Sequence, residues 1–295
     1  MSEFEVQVAE PSEAKKRELA SSLIRAVSSG RMDATREILA KCQQENVSVD
    51  ESVQGGVTAL HIASRQGESP IVRLLLDHGA AVNIQAAGKD ELTPLMFAAS
   101  WGHTEVVSSL LAVQADPNLA SVNGDSALIF AASGSHLLIT RKLLNARANV
   151  NHQAQGTETA LLMAAAKGNN EIVAELIEHD ADVNLKSKGG VSALHFCARE
   201  GHRESAQSIL AASADIDAQL HDNGWTPLME AAHQGHLDLV KVLVLNSADT
   251  THKSKSGRTA LMLARLEKKQ GVADYLATVT PSEGGLCSFG HCAVQ

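Results

Sequence analysis

The sequence predicts an all-α solenoid, built from paired antiparallel helices joined by hairpin-like fingers. Three observations point there. A Thr/Ser–Ala/Pro–Leu triplet returns every 33 to 35 residues. Each triplet opens a short apolar run, most often closed by Gly, and a second apolar run follows. Aromatics make up only 3% of the chain while hydrophobic residues reach 44%, so Ala, Leu and Val must fill the core, which suits closely packed helices.

Composition narrows the function before any motif is considered. The 295 residues carry 25 Lys plus Arg against 34 Asp plus Glu, a net charge of −9. A nucleic-acid binder would show a basic stripe, and binding to anionic lipid by charge alone needs basic clusters. Neither class fits. Cys42, Cys197, Cys287 and Cys292 form no Cys-x-x-Cys pair and no metal-like spacing, as expected in a reducing, intracellular compartment. No apolar run approaches the ~18 residues of a membrane span. The opening MSEFEVQVAEPSE is acidic and lacks an apolar h-region, so it is not expected to be a secretory signal.

The repeat is explicit. Thr58-Ala59-Leu60-His61, Thr93-Pro94-Leu95-Met96, Ser126-Ala127-Leu128-Ile129 and Thr159-Ala160-Leu161-Leu162 head the first four units. Ser192-Ala193-Leu194-His195, Thr226-Pro227-Leu228-Met229 and Thr259-Ala260-Leu261-Met262 head the last three. The spacings between heads are 35, 33, 33, 33, 34 and 33. With that period and a T-P-L-H-x-A-like motif, the chain resembles the ankyrin repeat family over residues 51–279. A degenerate copy, Leu23-Ile24-Arg25-Ala26 followed by Gly30, precedes it. The expected organisation is a disordered N-terminus over 1–12, a degenerate capping repeat over 13–50, seven repeats over 51–279 and a flexible tail over 280–295.

Each element of the unit has a physical reason. The leading Thr or Ser stands where a hydroxyl can accept from free backbone N–H groups at a helix start. The following residues, LHIASRQG or LMFAASWG, make about two turns of helix. Gly67, Gly102, Gly168, Gly201 and Gly235 then end it. Ile71, Val72, Leu74 and Leu75 have the spacing of a second helix, and Pro70 fits its first turn, where a missing N–H costs little. Ala80 to Asn83 leads into a polar, Gly-containing finger. One unit cannot bury its own apolar face, so neighbours must stack.

Departures from the family pattern are expected to weaken the array. Gly79 follows the second helix of the first unit, but Gln114, Arg147, Asp180, Ser213 and Ser247 stand at that slot afterwards. If those positions are left-handed, each non-Gly residue costs ~1 kcal/mol. The last unit has Lys268-Lys269-Gln270 in place of the inter-helix Gly, which suits a terminal cap facing water.

Catalytic and cofactor chemistry finds no purchase in the sequence. There is no G-x-S-x-G, no phosphate loop and no G-x-G-x-x-G. His61 and His195 fill the fourth position of the motif, where the ring is expected to bond neighbouring backbone. His103, His202 and His236 follow the inter-helix Gly and stand a repeat apart, so no metal site is expected. Cys197, between Phe196 and Ala198 in an apolar helix, reads as core. No catalytic, cofactor-binding or metal residues are predicted, and no small-molecule substrate.

What remains is a surface. In the family it resembles, partners bind the concave face made by finger tips and first helices. Mapped onto this sequence, that face takes the residues before each triplet: Gln54, Val57, Lys89, Leu92, Asn123, Asp125, Glu158, Val191, Asp222, Trp225 and Arg258. It also takes the residues before the inter-helix Gly: Arg65, Gln66, Trp101, Lys167, Arg199, Glu200 and His233. Both Trp of the chain fall in this set, and Trp and Arg are the side chains that most often anchor interfaces. The resemblance also marks Asn184, in Asp182-Val183-Asn184, as a candidate for asparaginyl hydroxylation; the alternative is that its side chain fixes the loop.

The last four residues, Cys292-Ala293-Val294-Gln295, resemble a C-terminal prenylation box, with Cys292 expected to carry a farnesyl chain. A single lipid holds a protein only marginally, and residues 278–295 contain no Lys or Arg. Cys287 is therefore the candidate for a second, palmitoyl chain. The function expected is a monomeric, non-enzymatic protein-binding adaptor or scaffold at a cytosolic membrane face. The competing readings are a soluble ankyrin adaptor or inhibitor without a lipid, and a host-targeted bacterial effector of the same architecture.

Overall fold

The computed structural model describes residues 11–52, 54–88 and 90–281. Among them are sixteen α-helices and no strand; one isolated bridge, Ala120 to Ser126, stands at the base of a finger. The chain divides after Gln155 into two compact units.

The first unit holds four helix pairs: α1 (Glu13–Ser28) with α2 (Met32–Gln44), α3 (Ala59–Gln66) with α4 (Ser69–Asp77), α5 (Pro94–Trp101) with α6 (Thr104–Ala112), and α7 (Ala127–Ser133) with α8 (Leu137–Asn145). First helices pack in the order α1, α3, α5, α7 and second helices in the order α2, α4, α6, α8, so the unit is a short solenoid. The second unit repeats the plan with α9 (Ala160–Lys167), α10 (Asn170–Glu178), α11 (Ala193–Glu200) and α12 (Arg203–Ala211). It ends with α13 (Pro227–Gln234), α14 (Leu237–Leu245), α15 (Ala260–Leu266) and α16 (Gln270–Val279). Its first helices stack as α9, α11, α13, α15 and its second as α10, α12, α14, α16.

The core of each unit comes from a recurring trio on the second helix. Ile71, Val72 and Leu75 are buried on α4, and Val106, Val107 and Leu110 on α6. Ile172, Val173 and Leu176 do the same on α10, and Leu239, Val240 and Leu243 on α14. Of the six internal second helices two deviate. On α8 the middle residue is Thr140, whose hydroxyl donates to the His136 carbonyl at 3.1 Å and so is satisfied. On α12 the trio is Ser205, Ala206 and Ile209, and the buried Ser205 Oγ has no hydrogen-bond partner.

The expected left-handed positions are left-handed. Gln114, Arg147, Asp180, Ser213 and Ser247 all hold φ between 63° and 69°, beside 83° for Gly79. The inter-helix slot behaves alike: Gly67 is at 79°, and a Cβ there would lie 2.5 Å from the His103 Nδ1, so ring and backbone both demand glycine. In the third repeat that slot belongs to Ser135, at φ 61°, while Gly134 one residue earlier is ordinary right-handed backbone. Lys268, at 56°, fills it in the last.

No helix among the described residues is long and apolar enough to cross a membrane. The tail cysteines Cys287 and Cys292, and Lys89 in the second finger, lie outside the described residues.

Candidate functional site

The triplets act as helix starts. Thr93 Oγ1 accepts from the Met96 N–H at 3.2 Å, Thr159 from Leu162 at 3.2 Å, and Thr226 from Met229 at 3.4 Å. Where the fourth residue is His, the imidazole completes the cap. Ser192 N–H donates to His195 Nδ1 at 3.2 Å, with Ser192 Oγ 2.8 Å from the same atom. Nδ1 is thus the acceptor, and Nε2–H donates to the Trp225 carbonyl at 3.1 Å in the next repeat. In the first unit His61 Nε2 lies 3.1 Å from both the Ile84 and Leu92 carbonyls. Burial pushes the pKa of both rings down, that of His195 to about 4.

A second set of imidazoles ties repeat to repeat. His103 Nε2 reaches the Arg65 carbonyl at 2.8 Å and His136 the Ser100 carbonyl at 3.3 Å. In the second unit His202 reaches Ala166 at 3.3 Å and His236 reaches Arg199 at 3.0 Å. These rings satisfy carbonyls at helix C-termini, which would otherwise lack partners. Among the described residues no group of three His, Cys, Asp or Glu could hold a metal ion. Cys197 lies in α11 with its thiol pushed up to about 12 by burial, so it carries no thiolate at neutral pH.

Fingers are cross-linked by a recurring side-chain strut. Asn83 Oδ1 accepts from Asp116 N at 2.9 Å and Asn118 Oδ1 from Asn149 N at 2.7 Å in the first unit. Asn184 Oδ1 accepts from Asp215 N at 2.8 Å, and Asp217 Oδ1 from Asp249 N at 3.0 Å, in the second. The Asn184 side chain thus ties its own finger to the next.

The predicted surface residues divide between the units. In the first, Arg65, Gln66 and Trp101 are exposed at the C-terminal ends of α3 and α5, and Trp101 is 62% exposed. Gln66 spends one amide N–H on the Ser28 carbonyl at 3.0 Å. Asn123 is exposed at a finger tip, with Asp125 half-buried behind it. In the second unit Lys167, Glu200, Asp222 and Arg258 are exposed, while Glu158, Arg199, Trp225 and His233 are half-buried. The Trp225 ring meets His233 edge-on, with centroids 5.0 Å apart and planes at 80°. Arg199 Nη2 lies 3.3 Å from Glu230 Oε1, and His233 Nδ1 lies 3.7 Å from Glu267 Oε1. Trp225 is therefore a packed residue with a free edge, whereas Trp101 stands clear.

Sequence reasoning missed several participants. His136 was hidden because the Gly before it stands one residue early; its place ten residues after Ser126 was the available signal. Glu230 replaces an apolar residue on α13 and is buried against Arg199. Phe97, Phe130 and Phe196 all stand four residues after their leading Thr or Ser and are half-buried there, a regularity visible in the sequence.

Motif, helix pair and finger define a class of stacked-repeat binding modules, and the comparisons give the family. The model described as Ankyrin repeats (3 copies) matches residues 7–86, 84–154, 129–220 and 194–282. The chain belongs to the ankyrin repeat family, whose repeats indicate a protein partner. It is similar to BCL-6 corepressor-like protein 1 of Homo sapiens, 34% identical over 94 residues, which is 32% of this chain and 5% of that protein. It is 48% identical to Ankyrin repeat and KH domain-containing protein mask of Drosophila melanogaster over 73 residues, 24% of this chain and 2% of the relative. Palmitoyltransferase akr1 of Schizosaccharomyces pombe is 39% identical over 62 residues, 21% of this chain and 9% of the relative. The chain thus spans a small part of each relative's length.

Proposed function

We propose that this chain is a non-enzymatic, monomeric adaptor that holds another protein through its first-helix ends and finger tips. The observation that carries the reading is Trp101, 62% exposed in a chain with only two Trp. An indole left in water at the end of a rigid helix is a preformed anchor, because its large apolar area is ordered before the partner arrives. Arg65 and Asn123, predicted surface residues of the same unit, supply polar contacts around that anchor; Lys167, Glu200 and Arg258 are the exposed predicted residues of the other unit. A photo-crosslinking amino acid at position 101 of the full chain, expressed in its own cells, tests the reading. A discrete protein adduct that is lost when unlabelled wild type competes, but kept when Trp101→Ala competes, supports it. The absence of any adduct overturns it.

The finer part of the reading is a cytosolic membrane site reached through a farnesyl chain on Cys292, with Cys287 as a palmitoyl acceptor. It is supported by the four residues Cys292-Ala293-Val294-Gln295 alone. It requires Gln295 to be the final residue. Intact mass of the cell-derived protein tests both points: a farnesyl adduct with loss of Ala293-Val294-Gln295 supports the anchor, and an unmodified mass overturns it.

A further inference from the structure

Three finger tips of the second unit place a basic row in register. Lys188, His221 and Lys255 hold equivalent positions 33 and 34 residues apart, and all three are exposed. Each donates its backbone N–H to the preceding finger: Lys188 to the Gly156 carbonyl at 3.2 Å, His221 to Gly189 at 2.8 Å, and Lys255 to Asn223 at 2.9 Å. The tips are therefore stepped by one repeat, about 8–10 Å, the separation of packed helices.

The side chains are held as well. A Cβ on Gly190 would meet His221 Cδ2 at 2.7 Å, so the imidazole lies across that glycine. A Cβ on Gly224 would meet Lys255 Cγ at 3.3 Å, and the Lys255 ammonium donates to the His221 carbonyl. An ammonium has three donors, so two remain. Among the described residues Lys188 makes no ion pair, and the exposed Arg258 ends the last finger.

The acidic side chains of these fingers have partners of their own. Asp215 is 3.6 Å from Lys186, Asp217 accepts from the Asp249 N–H, and Asp249 accepts from Thr251. Asp222 is the one exposed carboxylate beside His221, with Glu158 half-buried at the base of an earlier finger. Lys188, Lys255 and Arg258 gather like charges that repel one another, in a chain whose net charge is −9.

Resting on the adaptor reading, we propose that Lys188, His221, Lys255 and Arg258 form a docking strip for an acidic segment of the partner protein. An extended chain rises about 3.3 Å per residue. A carboxylate at every third residue therefore matches the step between tips. A long polyanion such as nucleic acid is disfavoured by the net negative charge of the rest of the chain.

The test is fluorescence anisotropy with the full chain at low salt. The probe is a labelled peptide of repeated Glu-Ser-Gly, with repeated Gln-Ser-Gly and a single-stranded oligonucleotide as comparators. The Glu peptide is expected to bind, and Lys188→Glu with Lys255→Glu to weaken it by roughly tenfold or more. The pair Arg17→Glu with Lys41→Glu, an equal charge change in the other unit, is expected to change it less than about twofold. Helical circular dichroism checks that each variant is folded, and Lys188→Gln with Lys255→Gln replaces the reversal if it is not. The proposal is overturned if the Gln peptide binds as well as the Glu peptide. It is equally overturned if the row variants bind like wild type, or if the oligonucleotide binds more tightly than the peptide. Crosslinking at position 101 judges the adaptor reading separately, so either can fail alone.

Discussion

His195 donates its Nε2–H to the carbonyl oxygen of Trp225 at 3.1 Å, tying a buried ring on α11 to the residue that precedes the start of α13. The contact is structural on one side and adjoins the candidate surface on the other, because the Trp225 indole packs on His233.

This contact predicts an acid-sensitive fold. Burial dominates in pushing the His195 pKa down to about 4, with Lys186 and Arg199 adding to it and the Trp225 carbonyl opposing. The unfolded chain takes up its proton near pH 6.5 and the folded chain only near 4. Stability is therefore fully present above pH ~6.5 and falls as pH drops toward ~4, by about 3 kcal/mol in all. Burial raises the pKa of Asp217, which acts in the opposite direction at lower pH, so the measurement must be a difference. Urea unfolding at pH 7.5 and 5.0 is expected to show a loss smaller by about 2 kcal/mol in His195→Gln than in wild type. Equal losses would show that His195 is not the titrating group.

The two Trp should separate. Trp101→Ala is expected to leave stability within about 0.5 kcal/mol, because the ring is mostly in water, yet to weaken partner binding by about 2 kcal/mol or more. Trp225→Ala is expected to cost about 1 kcal/mol of stability through its edge-on contact with His233. Chemical denaturation and titration with the crosslinked partner measure both quantities. A Trp101→Ala protein that is destabilised but binds normally would make that indole a packing residue.

Much of this was legible in the sequence, and the reason is periodicity. Seven copies of one triplet fix helix starts, Gly positions and finger lengths together, so the left-handed φ at Gln114 or Asp180 followed from the Gly79 slot alone. Legibility failed where one residue moved or where chemistry depends on neighbours. Ser135 took the left-handed role one residue after Gly134, which hid His136. The difference between Trp101 and Trp225 lies in a His eight residues beyond the second, a three-dimensional contact that spacing does not encode. The basic row emerges only once finger register aligns Lys188, His221 and Lys255.

Relieving a left-handed residue should stabilise the array. Ser213 and Gln114 hold φ of 65° and 63° where Gly79 holds 83°, and both are exposed. Ser213→Gly or Gln114→Gly is expected to raise stability by a few tenths to about 1 kcal/mol, since glycine adopts that region without a Cβ penalty. The greater freedom of glycine in the unfolded chain subtracts from the gain. Urea midpoints of the single variants read the balance, and a clear loss would mean that the entropy dominates.

The last prediction concerns the weak point of the core. Every other internal second helix buries a branched residue where α12 buries Ser205: Ile71, Val106, Ile139, Ile172 and Leu239. The Ser205 hydroxyl is buried without a hydrogen-bond partner, and such a group costs about 1–3 kcal/mol. Ser205→Ala removes the polar atom, leaves the backbone alone and improves helix propensity. It is expected to raise stability by about 1 kcal/mol. The equivalent change at Thr140, whose hydroxyl donates to the His136 carbonyl at 3.1 Å, is expected to lower it by a similar amount. Both variants measured side by side in urea give the sign directly. If Ser205→Ala is less stable than wild type, the hydroxyl has a partner in solution, and α12 is not the weak helix of its unit.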